Sequence, residues 1–310
     1  MGKLVIYGAG TFGKGVGGFI NSLGKGDDIV AYCDKRAKEI GMLHDKEVLS
    51  YEEASRLGLP FIIAVSRRYK RFNEIKEVLE NDQQVVIDLN DWARENGMDM
   101  VEFNRQYCAY FHVTEMDDYF QEAESADSVQ KFWGGGMVFY QRFQQLDLTN
   151  VVELACGRGR HVPMYVDKAG GVTLVDILQK NIDICQERFK EYSQIKYYCN
   201  NGQDMKDLAD NTYTALFTYD AMVHFELLDI FNYLKETHRI LKKGGKALFH
   251  HSNTHDDYRR SFHNSPGGRS FMSSELFAYM AYRAGLKILS QDLIDWAMPE
   301  GDCLTLVEKM

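Results

Sequence analysis

The sequence has little proline, no closely paired cysteines and no long apolar run. Only 4 of its 310 residues are proline, and the six cysteines are scattered without a C-x-x-C pair, which argues against a zinc site or a disulfide framework. No apolar stretch approaches the ~20 residues that cross a bilayer, and the N-terminal MGKLVIYGAG lacks the apolar core of a signal peptide. These absences predict a cytoplasmic protein without a membrane span, whose thiols are reduced and buried.

An excess of positive charge is also missing. The 36 Lys and Arg residues are outnumbered by 45 Asp and Glu residues, which gives a formal net charge of −9. Sequence-independent binding to phosphate backbones needs a positive surface, so we expect no nucleic-acid partner. The length of 310 residues is enough for two domains with separate cores.

Strand and helix patterns alternate in two regions of the chain, which predicts an α/β fold with two doubly wound domains. The N-terminal pattern predicts a strand at KLVIY, a glycine turn that opens a helix at GAGTFG, and a second strand at DDIVAYCD. We predict a small Rossmann-like domain at residues 1–92, a linker at 93–118 and a larger domain at 119–310 that begins with entry helices. The larger domain is expected to have seven strands, and its last two, with no helix between them, predict an antiparallel edge strand.

The stretch VVELACGRGRHV ends a predicted strand at a glycine-rich turn. Glu153 lies near the strand end, and Gly157 and Gly159 lie in the turn, where glycine allows positive φ and close approach to a ligand. Asp176 ends the next strand, where a carboxylate is well placed to accept hydrogen bonds from two ribose hydroxyls. NNGQDMKDL and TYDAMVHF follow at the third and fourth strand ends.

From about residue 115 onward, these motifs resemble the class I S-adenosylmethionine-dependent methyltransferases. They stand at four successive strand ends in the family's order, although Ala155 occupies the position of the family's first glycine. The resemblance implies that the turn glycines line the methionine part of the cofactor, that Asp176 holds the ribose, and that Asp204 and Met205 contact the adenine. It implies S-adenosylhomocysteine as the product. The cofactor residues it implies are Glu153, Ala155, Gly157, Gly159, Asp176, Ile177, Asp204, Met205 and Tyr219.

Histidines follow the fourth and fifth strands of the predicted larger domain. A hydroxyl acceptor of a methyl group must lose a proton, and histidine is the usual base near neutral pH. The candidate catalytic residues are Asp220, His224, His251 and His255. His250 and His251 are adjacent in a strand and point to opposite faces, so at most one faces a given pocket. For each single histidine the alternative is a hydrogen-bonded structural residue or a solvated loop residue.

A metal-dependent alternative uses His251, His255 and Asp256 as ligands of a divalent cation. Their spacing matches no recognised site, and we predict no metal.

The sequence also narrows the acceptor. Asp220-Ala221-Met222-Val223 lacks the Asn/Asp-Pro-Pro-aromatic run of amino-methylating nucleic-acid enzymes, and this region lacks the Pro-Cys nucleophile of cytosine C5 chemistry. With the acidic net charge, this favours a small molecule or a sugar. Arg269, in HNSPGGRSFMSSELF, suits a phosphate or sugar acceptor, or belongs to an ordinary loop.

The N-terminal GAGTFG motif also follows a strand and precedes a helix, and an acidic residue ends the next strand, as in dinucleotide-binding folds. This region resembles small Rossmann-like domains of bacterial sugar-modifying and surface-glycan enzymes. Arg67 and Arg68, in AVSRRYKRF, follow a later predicted strand. They suit the binding of an anionic group, or they belong to a solvated helix face. The predicted nucleotide-site residues are Gly8, Gly10, Gly13, Asp34, Arg67 and Arg68.

We therefore predict an S-adenosylmethionine-dependent O-methyltransferase of bacterial glycan or nucleotide-sugar metabolism. The N-terminal domain is predicted to hold a nucleotide or nucleotide-linked acceptor, or to be a structural adaptor. Two other classes remain: an NAD(P)-dependent oxidoreductase centred on GAGTFG, and a non-catalytic adaptor that keeps a cofactor fold. The sequence leaves open the acceptor, the methylated atom and the oligomeric state.

Overall fold

The computed structural model describes residues 2–66, 70–114, 117–296 and 298–310. Arg67 and Arg68, two of the predicted nucleotide-site residues, lie outside the described residues. The chain divides into two compact units: unit 1 is Met1–Asp117 with His263–Gly267, and unit 2 is Asp118–Phe262 with Gly268–Met310.

Unit 1 is an α/β unit built on a six-stranded sheet of order β3-β4-β2-β1-β5-β6. Its strands are β1 (Leu4–Tyr7), β2 (Ile29–Cys33), β3 (Met42–Leu43), β4 (Lys46–Leu49), β5 (Phe61–Ile63) and β6 (Val86–Ile87). Its helices are α1 (Thr11–Ser22), α2 (Ala37–Ile40), α3 (Tyr51–Ser55), α4 (Arg71–Asn81), α5 (Leu89–Glu95) and α6 (Met100–Thr114). Neighbouring strands are parallel except for the short β3, which pairs antiparallel with β4.

Helix α6 lies inside the stretch 93–118 that the sequence analysis treats as a linker, and it packs on α1 within unit 1. Phe19 of α1 contacts Phe103, Tyr107 and Tyr110 of α6, with ring centroids 5.3, 5.2 and 5.5 Å away. Aromatic residues at i, i+4 and i+7 share one helix face, so the aromatic richness of this stretch reflects a packed helix.

Unit 2 is built on a seven-stranded sheet of order β12-β13-β11-β10-β7-β8-β9. Its strands are β7 (Val151–Leu154), β8 (Val172–Asp176), β9 (Ile195–Cys199), β10 (Tyr213–Thr218), β11 (Leu241–Ser252), β12 (Leu286–Trp296) and β13 (Met298–Lys309). Its helices are α7 (Asp117–Ala123), α8 (Ala126–Trp133), α9 (Val138–Phe143), α10 (Gln179–Arg188), α11 (Leu227–Ile240) and α12 (Ser274–Arg283). β7 to β11 pair in parallel, whereas β13 runs antiparallel to both β11 and β12. The predicted α/β fold, with its seven strands and antiparallel pairing at one edge, is confirmed.

The central strands of unit 2 are buried on both faces, which explains their continuous apolar runs. Neighbouring residues of β7 enter different clusters, because Val151 packs with Leu174 and Phe217 and Val152 packs with Val175 and Leu216. Helices α8 and α9 cover the first face, and α11 and α12 cover the second. The carboxyl ends of β7, β8, β10 and β11 meet at one edge, where ligands bind in such sheets.

Candidate cofactor and acceptor site

The loop after β7 bends through three residues with left-handed backbone. Ala155, Gly157 and Gly159 have φ of 57°, 56° and 76°. A Cβ atom on Gly159 would lie 2.4 Å from the Phe189 ring, so this position also needs glycine for space. Left-handed backbone costs an L-residue roughly 1–2 kcal/mol. Ala155 therefore adopts a backbone conformation that favours glycine. As an L-residue it bears the steric cost of that conformation.

Asp176, at the end of β8, is hydrogen bonded to this loop. Its Oδ2 accepts the N–H of Gly157 at 2.8 Å, and its Oδ1 accepts the N–H of Leu178 at 2.9 Å and the side-chain amide of Asn181 at 3.1 Å. The residue is 5% exposed, and burial raises the pKa of Asp176 despite these bonds. Because each carboxylate oxygen offers about two acceptor sites, Oδ2 has capacity for a ligand hydroxyl. The residue expected to hold ribose is thus joined to the glycine loop.

The carbonyl of Gly157 is held as well, by two buried thiols. Its oxygen accepts from Sγ of Cys156 at 3.5 Å and from Sγ of Cys185 at 3.3 Å. The hydrogen bond with Cys185 and burial raise the pKa of Cys156, which keeps that thiol protonated as a donor. The sequence alone predicts only that both cysteines are buried thiols, since nothing in their spacing indicates a shared acceptor.

Glu153 lies in the core beneath the loop. It is buried on β7 and accepts a hydrogen bond from the Tyr165 hydroxyl at 2.6 Å. Burial raises the pKa of Glu153 to about 8, although this hydrogen bond and the charge of Arg160 oppose the shift. Its observed role is to anchor Tyr165 next to the loop.

The loop after β9 holds Asp204 near the surface and Met205 in the core. Asp204 accepts the side-chain amide of Asn201 on Oδ2 at 2.8 Å. Met205 is completely buried, its N–H donates to Glu236 at 3.0 Å, and its carbonyl accepts from Arg239 at 2.9 Å. The side chain expected to pack on adenine therefore presents no exposed surface, and Asp204 is the residue of this pair that a ligand can reach.

Two further predicted cofactor residues stand at strand ends. Ile177 directly follows Asp176 and is half-buried, and its carbonyl accepts from the Cys199 thiol at 3.5 Å. Tyr219 follows β10 and is buried, with its ring centroid 4.2 Å from that of Phe139 and 4.7 Å from that of His250. The Tyr219 ring is packed among aromatic rings at the carboxyl end of β10.

Asp220, next in the chain, has left-handed backbone although it is not a glycine, at φ 56°. Its Oδ2 accepts from the Arg160 guanidinium of the glycine loop at 3.0 Å, and the two side chains are only 7% and 13% exposed. Its N–H donates to Nδ1 of His250 at 3.0 Å. The loop after β7 and the loop after β10 are therefore linked by a buried ion pair.

His224 lies in the short turn that follows Asp220 and is half-buried. Its Nδ1 is 2.8 Å from the carbonyl oxygen of Gly268, and its ring meets the Phe262 ring edge-on at 5.3 Å. Because a carbonyl only accepts, Nδ1 carries the proton and Nε2 is the basic nitrogen of the neutral ring. A Cβ atom on Gly268 would lie 2.9 Å from Phe262 and 3.2 Å from Nδ1. The surroundings thus fix a tautomer suited to a general base.

His251 is a core residue, which corrects its assignment as a catalytic candidate. It is fully buried and stacks on Phe277 at 3.9 Å. Its Nδ1 donates to the Ser252 carbonyl at 2.8 Å, and its Nε2 accepts from the Thr305 hydroxyl at 2.8 Å. Burial lowers the pKa of His251 to about 3, so the ring is neutral and both nitrogens are engaged.

His255 is exposed, with Nδ1 3.1 Å from the Asn253 carbonyl. Asp256 is ion-paired with Arg260 at 2.8 Å. Across the described ranges, no group of three or more His, Cys, Asp or Glu side chains is arranged to hold a metal ion. In the alternative with a metal, His251 would have to supply a ligand although both of its ring nitrogens are hydrogen bonded.

Arg269 does not fit the role of an acceptor anchor. It is buried and makes a two-point contact with Asp302, with Nη2 2.7 Å from Oδ2 and Nε 3.2 Å from Oδ1. The suggestion that it binds a phosphate or sugar is corrected, because its donors serve a buried ion pair within unit 2.

In unit 1 the GAGTFG loop joins β1 to α1, as the motif predicts. Gly8 has φ 116°, and Gly10 is the N-cap of α1. A Cβ atom on Gly13 would lie 1.9 Å from the carbonyl oxygen of Gly8. The first and third glycines are therefore required by the backbone itself.

Asp34, after β2, accepts a hydrogen bond from this loop. Its Oδ2 accepts the N–H of Ala9 at 2.9 Å, and its Oδ1 accepts the N–H of Arg36 at 3.0 Å and the Nε–H of Arg36 at 3.3 Å. Burial opposes ionisation, but the hydrogen bonds from Arg36 and Ala9 outweigh it and lower the pKa of Asp34. The carboxylate is thus ionised and close to a cation.

Residues 151–245 match a family model described as a methyltransferase domain. The match begins at β7 and ends in β11, so it includes the glycine loop, Asp176, Asp204 and the turn with His224. No curated protein matches the chain in sequence.

Solved structures similar to the chain include an S-adenosylmethionine-dependent methyltransferase from Mesorhizobium loti, with 14% identity, a TM-score of 0.47, and coverage of 55% of this chain and 97% of that one. Another is geranyl diphosphate C-methyltransferase from Streptomyces coelicolor A3(2) in complex with Mg²⁺, geranyl diphosphate and S-adenosylhomocysteine, with 14% identity, a TM-score of 0.45, and coverage of 60% and 84%. A third is an S-adenosylmethionine-dependent methyltransferase from Methanosarcina mazei, with 12% identity, a TM-score of 0.45, and coverage of 54% and 96%.

The family match covers the loops that the sequence analysis associates with the methyl donor. Residues 151–245 match the methyltransferase family model, and S-adenosylmethionine-dependent methyl transfer is the activity that this match supports.

Proposed function

We propose that the chain transfers a methyl group from S-adenosylmethionine to a hydroxyl of a sugar, a nucleotide-sugar or another small phosphorylated acceptor in bacterial surface-glycan synthesis. The observation that carries the proposal is the junction of Gly157 with Asp176, where a left-handed loop and a buried carboxylate meet at the carboxyl ends of β7 and β8. When bound, the cofactor supplies an electrophilic methyl group on a sulfonium.

The residues around this junction fit such a cofactor. The bend at Gly157 and Gly159 lets the backbone approach the methionine part closely. Asp176 accepts ribose hydroxyls on Oδ2, and Asp204 is exposed enough to reach the adenine. Methyl transfer itself needs little beyond alignment, and holding the two reactants in line lowers the barrier by ~7–11 kcal/mol.

His224 is the proposed general base. The Gly268 carbonyl holds its Nδ1–H, so Nε2 accepts the proton that the acceptor hydroxyl loses. Asp220 is a weaker candidate for this step, because its carboxylate is already ion-paired with Arg160. We therefore assign Asp220 to the shape of the site and His224 to proton transfer.

A small acceptor is favoured by charge and by the motif after β10. The net charge of −9 disfavours a nucleic acid, and Asp220-Ala221-Met222-Val223 lacks the Pro-Pro motif of enzymes that methylate nucleic-acid amino groups. The sugar assignment depends on the resemblance of the N-terminal region to domains of sugar-modifying enzymes.

For unit 1 we propose a nucleotide or nucleotide-linked acceptor bound at the GAGTFG loop. The observation that supports it is the hydrogen bond from the Ala9 N–H to Asp34 at 2.9 Å, because dinucleotide-binding folds use a carboxylate at the end of the second strand to bind ribose. A structural adaptor is the alternative, and it predicts that no nucleotide binds.

No helix in the described part of the chain is long and apolar enough to span a membrane. All six cysteines lie within the described residues, and none of them forms a disulfide. A cytoplasmic location stays a proposal.

The test is release of S-adenosylhomocysteine from S-adenosylmethionine with a panel of nucleotide-sugars, sugar phosphates and free sugars. We expect His224→Gln to lower kcat by about 10²–10⁴-fold with cofactor affinity unchanged. His238→Gln, in the last turn of α11, is the matched histidine control and should leave turnover unchanged. Cofactor binding without turnover on any acceptor would favour the adaptor alternative, and hydride transfer with NAD(P) would favour the oxidoreductase.

A further inference from the structure

His250 is a buried histidine that the predicted site does not use. It lies on β11, is fully buried, and joins two elements of unit 2 through its two ring nitrogens. Nδ1 accepts the N–H of Asp220 at 3.0 Å, and Nε2 lies 3.0 Å from Oδ2 of Asp302 on β13. Since a backbone N–H only donates, Nδ1 is the acceptor and Nε2–H donates to the carboxylate. The tautomer is therefore fixed by its two partners.

Asp302 is itself fixed by Arg269. The guanidinium contacts both carboxylate oxygens, and both residues are buried. Burial opposes ionisation of Asp302, but the hydrogen bonds from His250 and Arg269 keep the pKa of Asp302 below its usual value. A charged carboxylate with two opposing partners holds the imidazole in one orientation, as second-layer carboxylates do for functional histidines.

The other end of this chain of contacts is a strained residue of the proposed site. Asp220 adopts φ 56°, which costs an L-residue free energy unless its surroundings compensate. Its N–H is held by His250, and its carboxylate is paired with Arg160 of the glycine loop. The contacts thus run from Arg269 through Asp302, His250 and Asp220 to the loop proposed to bind the methyl donor.

We propose that His250 is a positioning residue, whose Nδ1 holds Asp220 in the left-handed conformation that brings its carboxylate to Arg160. The effect on the cofactor loop rests on the proposed function, whereas the effect on Asp220 does not. The His250 ring also packs against Tyr219, with centroids 4.7 Å apart, and both amide substitutions described next lose this contact. The difference between the two variants therefore reports the hydrogen bond to Asp220.

Two amide substitutions at His250 distinguish the hydrogen bond made by Nδ1 from the one made by Nε2. The amide oxygen of His250→Asn lies near the position of Nδ1 and can accept the Asp220 N–H. The amide nitrogen of His250→Gln lies near Nε2 and can donate to Asp302, but it leaves the Asp220 N–H without its acceptor. His251→Asn is the matched control, because this neighbour is equally buried and has two hydrogen bonds on the opposite face of the strand.

The first readout is hydrogen–deuterium exchange of a peptide that spans residues 219–226. We expect His250→Gln to exchange at least tenfold faster there than the unsubstituted chain, and we expect His250→Asn to return most of the protection. His251→Asn should leave this peptide unchanged. Unaltered exchange in His250→Gln, or equal loss in both His250 variants, would overturn the positioning role. If His250→Gln does not fold, Asp302→Asn provides the same test from the other side of the imidazole.

The second readout is affinity for S-adenosylhomocysteine by calorimetry. His250→Gln should weaken binding about tenfold, as expected for one lost buried hydrogen bond, and His250→Asn should stay within about threefold of the unsubstituted chain. In an Asp220→Gly background the difference in affinity between His250→Gln and His250→Asn should vanish, because glycine adopts this φ unaided. Faster exchange with unchanged affinity would overturn the link to the cofactor loop. If the unsubstituted chain does not bind the ligand, the proposed function fails, and the exchange measurement still decides the role of His250.

Discussion

The two glycine loops of this chain share one local device. In each unit, a carboxylate at the end of the second sheet strand accepts an N–H from the loop that follows the first strand. Asp34 accepts from Ala9 at 2.9 Å in unit 1, and Asp176 accepts from Gly157 at 2.8 Å in unit 2. The shared geometry follows from parallel strands that end at the same edge of a sheet.

The partners of the second carboxylate oxygen differ between the loops. In unit 1 it accepts from the backbone and guanidinium of Arg36, and the pKa of Asp34 is lowered even though burial opposes this. In unit 2 it accepts from uncharged groups of Leu178 and Asn181, and burial raises the pKa of Asp176. The same motif therefore presents a carboxylate paired with a cation in one unit and a desolvated carboxylate in the other.

The largest expected difference is in binding of S-adenosylhomocysteine. Asp176→Ala removes both the proposed ribose acceptor and the anchor of the Gly157 N–H, so we expect at least a hundredfold loss of affinity, from two or more hydrogen bonds to a charged group. Asp34→Ala, the matched change in the other loop, should leave this affinity within about twofold. Calorimetric titration of both variants, with NAD(H) titrated in parallel, makes the comparison.

Equal losses in the two variants would contradict the division of roles between the loops. If a nicotinamide nucleotide binds, and S-adenosylhomocysteine does not, the oxidoreductase alternative replaces the proposed function.

The second difference concerns why each loop needs its glycines. In Gly13→Ala the new Cβ would lie 1.9 Å from a backbone oxygen, whereas in Gly159→Ala it would lie 2.4 Å from the Phe189 ring. A side chain can be trimmed and a backbone cannot. We expect each variant to lose about 1–3 kcal/mol of unfolding free energy, with Gly13→Ala at the upper end.

Adding Phe189→Leu should recover part of the loss in Gly159→Ala, and the remainder reflects the positive φ of this position. Gly135→Ala is the control, because nothing lies within 4 Å of its Cβ position. Chemical denaturation measures all four variants. Full rescue by the Phe189 change would mean that the backbone conformation there carries no cost.

These glycine positions also show what the sequence could establish. The strand–glycine–helix pattern located both loops, and the spacing to the next strand end located Asp34 and Asp176. Contacts that depend on the strand register of the whole sheet could not be predicted from the sequence. His250 and Asp302 are 52 residues apart and meet only because β13 inserts beside β11.

The same limit explains the corrected residues. Alternation along β11 predicted that His250 and His251 face opposite sides, but it gave no sign of which one faces the loop after β10. Arg269 carries the donors that bind phosphate, and only the fold reveals that Asp302 already engages them. Residue type indicates what a side chain is able to bind, whereas its partner depends on the tertiary structure.

The opposite pKa shifts predict opposite pH dependences of stability. A lowered pKa means that Asp34 stabilises the fold when ionised, a contribution present above its ordinary pKa of 3.8 and lost as the pH falls through the lower folded value. A raised pKa means that ionisation of Asp176 costs stability as the pH rises above its ordinary value of 3.8. Relative to the unsubstituted chain, Asp34→Asn should therefore lose stability with rising pH, and Asp176→Asn should gain it.

Thermal melting between pH 3 and pH 7 measures the stability of each Asn variant relative to the unsubstituted chain. Plotted against pH, the two stability differences should have slopes of opposite sign. Parallel slopes for the two Asn variants would show that the loops are electrostatically alike.

The smallest expected effect is at Ala155, where the second loop departs from the glycine pattern. At φ 57° an alanine bears roughly 1–2 kcal/mol of steric cost, and glycine removes that cost but adds about 0.5–1 kcal/mol of backbone entropy in the unfolded chain. Ala155→Gly should therefore raise the free energy of unfolding by up to about 1.5 kcal/mol, which is the largest difference between the two effects. Ala169, with φ −93°, is the control, because its change to glycine adds only the entropy cost and should destabilise. A loss of stability in Ala155→Gly equal to that of Ala169→Gly would mean that the loop imposes no strain. A gain would show that Ala155 is held in a left-handed conformation that alanine disfavours. The contacts of Gly157 with Asp176 and the two thiols are what hold the loop in this bend.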